Sequence, residues 1–145
     1  MVTGPVQPIK RVLETALFVQ DISRSVEFYQ RVLGFGVLVK SGEPERLAAM
    51  DVGGVSVLLL FKTGVTANDV VIPGGRIPGF DGGGSGHIAF PVQRDELAAW
   101  EKKLAQEGIP VESTVDWERG GRSIYFRDPD DNLLELASPG VWPTY

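Results

Sequence analysis

The sequence predicts an α+β fold built from two βαβββ modules in tandem. Three observations carry that expectation. A strand, an amphipathic helix and three short strands follow one another between Val12 and Phe61. The same order returns between His87 and Ala137. Between the two copies, residues 62–84 are interrupted by Gly64, Gly74, Gly75, Gly79, Gly82, Gly83 and Gly84 with Pro73 and Pro78, a stretch that reads as a linker or mobile loop. At 145 residues the chain has one domain's length. Module one (about 11–61) and module two (about 85–139) are therefore expected to form a single domain over 1–145.

Module one opens with Val12-Leu-Glu-Thr-Ala-Leu-Phe-Val19, a run of strand-favouring residues. Asp21 or Ser23 can cap the helix that follows. Val26, Phe28, Tyr29, Val32 and Leu33 recur mainly every three or four residues, the spacing of a helix with one apolar face. Gly34 ends it, tolerating a left-handed backbone. Strands are predicted at Phe35–Lys40, Arg46–Asp51 and Val55–Phe61, separated by Ser41-Gly42-Glu43-Pro44 and by Gly53-Gly54.

Module two starts with the strand His87–Val92, in which Pro91 belongs at the end or on an edge. A helix over Glu96–Gln106 places Leu97, Trp100 and Leu104 on one side and closes at Gly108. Strands are predicted at Pro110–Trp117, Arg122–Arg127 and Asn132–Ala137, the last two joined by the turn Asp128-Pro-Asp-Asp-Asn132.

The repeat survives arithmetic. Glu14–Gln20 lies over His87–Gln93 at an offset of 73, Gly34-Phe35 over Gly108-Ile109 at 74, and Val57–Phe61 over Leu133–Ala137 at 76. Glu14 and His87 are thus equivalent positions in the two first strands. Leu59 and Glu135 are equivalent in the two last strands.

Composition excludes several classes of function. A net charge of −5, with acids and bases mixed along the chain, offers no basic face for nucleic acid. No apolar run approaches the roughly 20 residues that span a bilayer. Met1 to Gln7 lacks the basic start and apolar stretch of a signal peptide. The chain has no Cys, which removes disulfides, thiolate metal sites and a thiol nucleophile, and suits a cytoplasmic setting.

Alternation along strands suggests where chemistry could sit. Ile88, Phe90 and Val92 form a bulky face, and His87 with Ala89 points the other way. In module one Leu13, Leu17 and Val19 face one side, with Glu14, Thr15 and Ala16 expected on the other. Leu134 and Leu136 share one face of the last strand; Glu135 shares the opposite one with Leu133 and Ala137. A carboxylate in Leu-Leu-Glu-Leu-Ala needs a partner, since burying an unpaired charge costs several kcal/mol. A divalent cation would supply one, and imidazole with carboxylate oxygens suits Zn, Fe, Mn or Ni. Taken singly, each residue has a plainer reading. His87 could be a hydrogen-bonded structural residue, Glu135 could pair with Arg122 or Arg127, and Glu14 could sit on an exposed edge. Their repeat-equivalent slots favour a metal held by Glu14, His87 and Glu135 together.

Asp21-Ile-Ser-Arg-Ser-Val-Glu-Phe-Tyr-Gln-Arg-Val-Leu-Gly-Phe35 resembles the D-x-x-x-S-x-x-F-Y-x-x-x-L-G-F signature of the glyoxalase/bleomycin resistance protein/dioxygenase (vicinal oxygen chelate) superfamily. Gly86-His-Ile-Ala-Phe90 and Ser123-Ile-Tyr-Phe-Arg-Asp-Pro-Asp-Asp-Asn-Leu-Leu-Glu135 resemble its two later hallmarks. The likeness covers roughly residues 11–139. It implies a curved mixed sheet forming a cup, helices outside, and one divalent metal per site held by first and last strands. Carried across, the ligand slots are Glu14, Leu59, His87 and Glu135; Leu59 cannot bind metal. A missing fourth ligand argues against glyoxalase I. A three-ligand set is closer to extradiol dioxygenases and fosfomycin-modifying thiol transferases, although those use two His and one Glu.

The resemblance further implies a homodimer whose sites are completed by module exchange, Glu14 of one chain meeting His87 and Glu135 of the other. The reaction would rest on chelation of a small substrate through neighbouring oxygens, the metal acting as Lewis acid, with Glu135 or Glu14 able to loosen and take a proton. Arg122 and Arg76 are candidate anchors for an anionic substrate, and Tyr125, Trp117 and Leu59 candidate walls of the cup. The glycine-rich 74–86 segment is a candidate lid. The competing expectation is a metal-free binding protein that sequesters an apolar drug, which Leu59 favours.

Overall fold

In the computed structural model, residues 6–80 and 82–145 are described. Most of the Met1–Gln7 stretch weighed as a leader lies outside them. Module one consists of β1 (Glu14–Val19), α1 (Ile22–Leu33), β2 (Gly36–Ser41), β3 (Leu47–Val52) and β4 (Ser56–Lys62). Module two consists of β7 (His87–Pro91), a 3₁₀ turn (Arg94–Glu96), α2 (Leu97–Gln106), β8 (Ser113–Asp116), β9 (Arg122–Arg127) and β10 (Leu133–Ala137). Each makes a four-stranded mixed sheet, ordered β1-β4-β3-β2 and β7-β10-β9-β8. First and last strands run parallel in both, with the other pairs antiparallel. The duplicated α+β architecture is the one the sequence predicts.

Residues 62–84 depart from expectation. Val70–Ile72 (β5) and Gly75–Ile77 (β6) form an antiparallel hairpin turned by Pro73-Gly74. Three β-branched residues in succession favour the extended state, and the surrounding glycines concealed them. Asp69 fastens the hairpin: its carboxylate pairs with Arg76 and accepts from the Gly79 N–H at 2.8 Å.

Helix boundaries follow their caps. The Asp21 side chain accepts from the Arg24 N–H at 3.0 Å, so Asp21 rather than Ser23 caps α1. Gly34 closes α1 at φ +75°, where a side chain would be strained. Helix α2 begins one residue later than predicted, because Arg94–Glu96 winds as 3₁₀ and Glu96 accepts from the Gln93 N–H at 3.1 Å.

Strand parity sorts the two faces of each sheet. Leu17, Val19, Leu58, Leu60, Ala48 and Met50 point to the core from module one; Ile124, Phe126, Leu134 and Leu136 do so from module two. Thr15 has the parity of Leu17 and Val19, not of Glu14 and Ala16 as first expected. Val26, Tyr29 and Val32 of α1 and Leu97 and Leu104 of α2 complete one continuous core. Phe35 meets Phe90 edge-on across the modules at 5.3 Å. Both sheets thus cover one face with helices and leave the other open.

A polar clasp also joins the modules. The buried Asp128 carboxylate accepts from the Tyr29 hydroxyl at 2.8 Å, from the Asn132 amide at 2.9 Å, and from the backbone N–H groups of Asp130 and Asn132. Asp130 accepts from the Gln20 N–H at 2.9 Å and pairs with Arg24 at 3.1 Å. Burial, then the Asp128 charge, pushes the Tyr29 phenol far above its ordinary range, so it remains a donor. The signature residues Tyr29, Asp128, Asp130 and Asn132 are therefore architectural.

Candidate metal centre

The register reproduces the repeat arithmetic. Glu14 stands opposite Val57 and Ala16 opposite Leu59; His87 stands opposite Leu133 and Ala89 opposite Glu135. All four slots lie on the open faces, since their neighbours Leu58, Leu60, Leu134 and Leu136 are in the core.

His87 and Glu135 are brought together. The His87 Nε2 lies 3.4 Å from Glu135 Oε1. The other ring nitrogen, Nδ1, lies 2.9 Å from the Leu133 carbonyl. A carbonyl only accepts, so Nδ1 carries the hydrogen and, in the neutral ring, Nε2 presents its lone pair to the carboxylate. Two lone pairs face each other unless something positive lies between them, either a second ring proton or a cation. The spacing suits a cation, because two ligands about 2.1 Å from a tetrahedral ion sit about 3.4 Å apart. The donor set and its outer hydrogen bonds thus fit a divalent metal.

Glu135 is only 6% exposed. Its second oxygen, Oε2, accepts from the Ser123 hydroxyl at 2.8 Å, and Ser123 in turn accepts from the Trp117 indole N–H at 2.9 Å. This chain fixes the carboxylate and leaves Oε1 aimed at His87, the orienting role that outer partners of metal ligands perform. Tyr125 is the cross-strand partner of Glu135. Burial first, then the Glu135 charge, pushes the Tyr125 phenol above its ordinary range and keeps its proton in place. The Tyr125 ring lies 6.4 Å from that of His87.

Glu14 does not join them within one chain. Among the described residues no three His, Cys, Asp or Glu side chains are close enough to hold an ion. Glu14 is exposed and lines a cavity of about 700 Å³ on the open face of module one, as does Leu59. Arg76 is occupied by Asp69 in the hairpin, and Arg122 pairs with Asp116 at 3.2 Å and more loosely with Glu101 at 3.7 Å. Neither arginine is an unpaired cation facing the centre. Trp117 contributes through Ser123. Ser123 was not among the predicted site residues, although counting by twos along β9 puts Ser123, Tyr125 and Arg127 on the open face beside Glu135.

No helix among the described residues is long and apolar enough to cross a membrane. The model of the Glyoxalase/Bleomycin resistance protein/Dioxygenase superfamily matches residues 11–136. Metallothiol transferase FosB of Bacillus licheniformis is 31% identical over 125 residues, covering 86% of this chain and 72% of that protein. Lactoylglutathione lyase of Salmonella typhimurium is 32% identical over 135 residues, covering 87% of this chain and 90% of that one. The crystal structure of a lactoylglutathione lyase from Agrobacterium tumefaciens superposes with a TM-score of 0.84 at 30% identity, over 94% of this chain and 99% of that one. With the register, the paired modules and these likenesses in agreement, the chain belongs to the glyoxalase/bleomycin resistance protein/dioxygenase superfamily.

Proposed function

We propose that the protein is a divalent-metal-dependent enzyme acting on a small molecule that chelates through neighbouring oxygens. In this reading two copies assemble by module exchange, and Glu14 of one subunit completes the centre begun by His87 and Glu135 of the other. The single observation that carries the proposal is the pairing of His87 Nε2 with Glu135 Oε1 at 3.4 Å, each group's remaining polar atom being already satisfied.

A bound ion would supply Lewis acidity to the substrate oxygens. The protein's own groups do the rest. His87 is held in one tautomer by Leu133, Glu135 in one rotamer by Ser123 and Trp117, and the protonated Tyr125 offers a hydrogen bond to a substrate oxygen beside Glu135. Glu14, on an open face, has freedom to loosen and take a proton. Leu59 supplies an apolar wall. Arg122 and Arg76, candidate anchors for an anionic substrate, each hold a carboxylate partner in the free protein. The named relatives span thiol transfer and lyase chemistry at similar identity. Leu59 in the fourth slot leans this chain away from a four-ligand glyoxalase I. A cytoplasmic location accords with the Cys-free composition.

Elemental analysis with sedimentation tests the proposal. The expected result is a dimer with about one metal per chain, and loss of most of that metal in Glu135→Ala. Full metal retention in Glu135→Ala, or a metal-free monomer as purified, would overturn it. The second reading, a metal-free binding protein, is favoured by the apolar cavity beside Leu59 and predicts ligand binding indifferent to chelators.

A further inference from the structure

The cavity of module one shows more than half of a metal site. Its floor is the open face of β1 and β4, and its far wall is the chain's own segment 65–80, including the β5–β6 hairpin. Leu59, Phe61, Val70, Ile72, Ile77 and Phe80 line it. Phe80 packs on Phe61 at 5.4 Å and on Phe18 at 5.9 Å between ring centres, which docks the segment onto the sheet. At about 700 Å³ the space matches a site for a drug-sized molecule, not for a few heavy atoms.

Charge is placed only at its ends. Among the lining residues Glu14 and Arg46 alone are charged. Glu14 stands level with Val57, while the Arg46 carbonyl accepts from the Lys62 N–H. Five residues of β4 separate those levels, about 16 Å along the strand. Leu59 and Phe61 occupy the interval. A hollow of this volume, lined by apolar side chains with charge only at its ends, suits a bound small molecule.

We propose that the substrate carries a large apolar body, of the size of a fused bicyclic aromatic, seated between Leu59, Phe61 and the β5–β6 hairpin with its chelating oxygens at the Glu14 end. This rests on the functional reading above, since the chelating end presumes the metal; the apolar seat does not. Burial of such a body between these walls follows from area alone.

Three probes separate the two claims by calorimetry on the protein as purified, with its metal content measured beside. Acetohydroxamic acid reads the metal, 2-naphthamide reads the seat, and 2-naphthohydroxamic acid reads both. The naphthyl chelator is expected to bind on the order of 100-fold more tightly than acetohydroxamic acid. Ile77→Ser and Phe80→Ser, both on the exposed segment, should each cut that advantage about tenfold while leaving acetohydroxamic acid unchanged. Equal affinities for the two chelators, with no binding of 2-naphthamide, would overturn the apolar seat and leave the metal reading intact. Binding of 2-naphthamide with no metal and no response to acetohydroxamic acid would support the seat and sink the metal reading instead.

Discussion

The two modules share a plan and differ on their open faces. Module two gathers His87, Glu135, Ser123 and Tyr125 around one point, with Trp117 behind them. Module one keeps the same backbone register but sets Leu59 where Glu135 stands and Glu14 where His87 stands. Its face is a greasy hollow with one carboxylate near the end. The two scaffolds are alike, and side chains on alternate strand positions set a His87–Glu135 pair on one open face and an apolar hollow on the other. A core substitution could not have done this, because Leu58, Leu60, Leu134 and Leu136 serve the same packing in both copies.

Ser123→Ala should produce the largest change in this contrast. Without the hydroxyl that holds Oε2, Glu135 loses its fixed aim, and metal affinity is expected to drop 10- to 100-fold. Competition with a fluorescent chelator would measure it; unchanged affinity would make Ser123 merely a neighbour. Tyr29→Phe probes the clasp that both modules need. It leaves buried Asp128 one donor short, and urea unfolding should show a loss of about 2 kcal/mol with metal content preserved. A parallel loss of metal would show that the clasp also shapes β10. Leu59→Glu erases the contrast by restoring a carboxylate to the empty slot. Metal affinity should rise about tenfold, the scale of one added charge at the ion, and 2-naphthamide binding should weaken. A variant with unaltered metal affinity would separate Leu59 from the centre.

The smallest effects concern exposed ion pairs, one beside each module. The Arg127 guanidinium is the main reason the Glu112 carboxyl sits below the usual range, whereas Asp69 owes its lowered value first to the Gly79 N–H and then to Arg76. A depressed carboxylate stabilises the fold above its unfolded pKa and loses that contribution as pH falls through the folded value. Carboxyl titration by NMR should therefore shift Glu112 upward in Arg127→Gln more than it shifts Asp69 in Arg76→Gln. Equal shifts would contradict the order of causes.

Much of this was legible in the chain itself. Periodicity located both helices and the strands of both modules to within a few residues, because apolar spacing is what the core reads. Offsets of 73 and 76 place Glu14, Leu59, His87 and Glu135 in register from sequence alone. The hairpin in 62–84 was hidden because Gly and Pro signals outweighed Val70-Val71-Ile72. The pairing of Arg76 with Asp69 was equally hidden, because sequence does not show that Asp69, across the hairpin, is within reach. The separation of Glu14 from His87 and Glu135 within one chain accords with the shared site that the family resemblance implies, but periodicity alone does not carry it: strand parity fixes which face a residue takes, not which sheets face one another.

The clasp between α1 and the β9–β10 turn has a consequence for how such chains are recognised. Tyr29, Asp128, Asp130 and Asn132 belong to the motifs by which the sequence resembles its family; Tyr29, Asp128 and Asp130 bolt two halves together, and Asn132 holds Asp128 in place for it. A search keyed to them collects proteins with a common joint and says nothing of their reactions. Sorting those proteins by chemistry requires the quieter alternate positions, here Ala16, Leu59 and Phe61, where no motif is written.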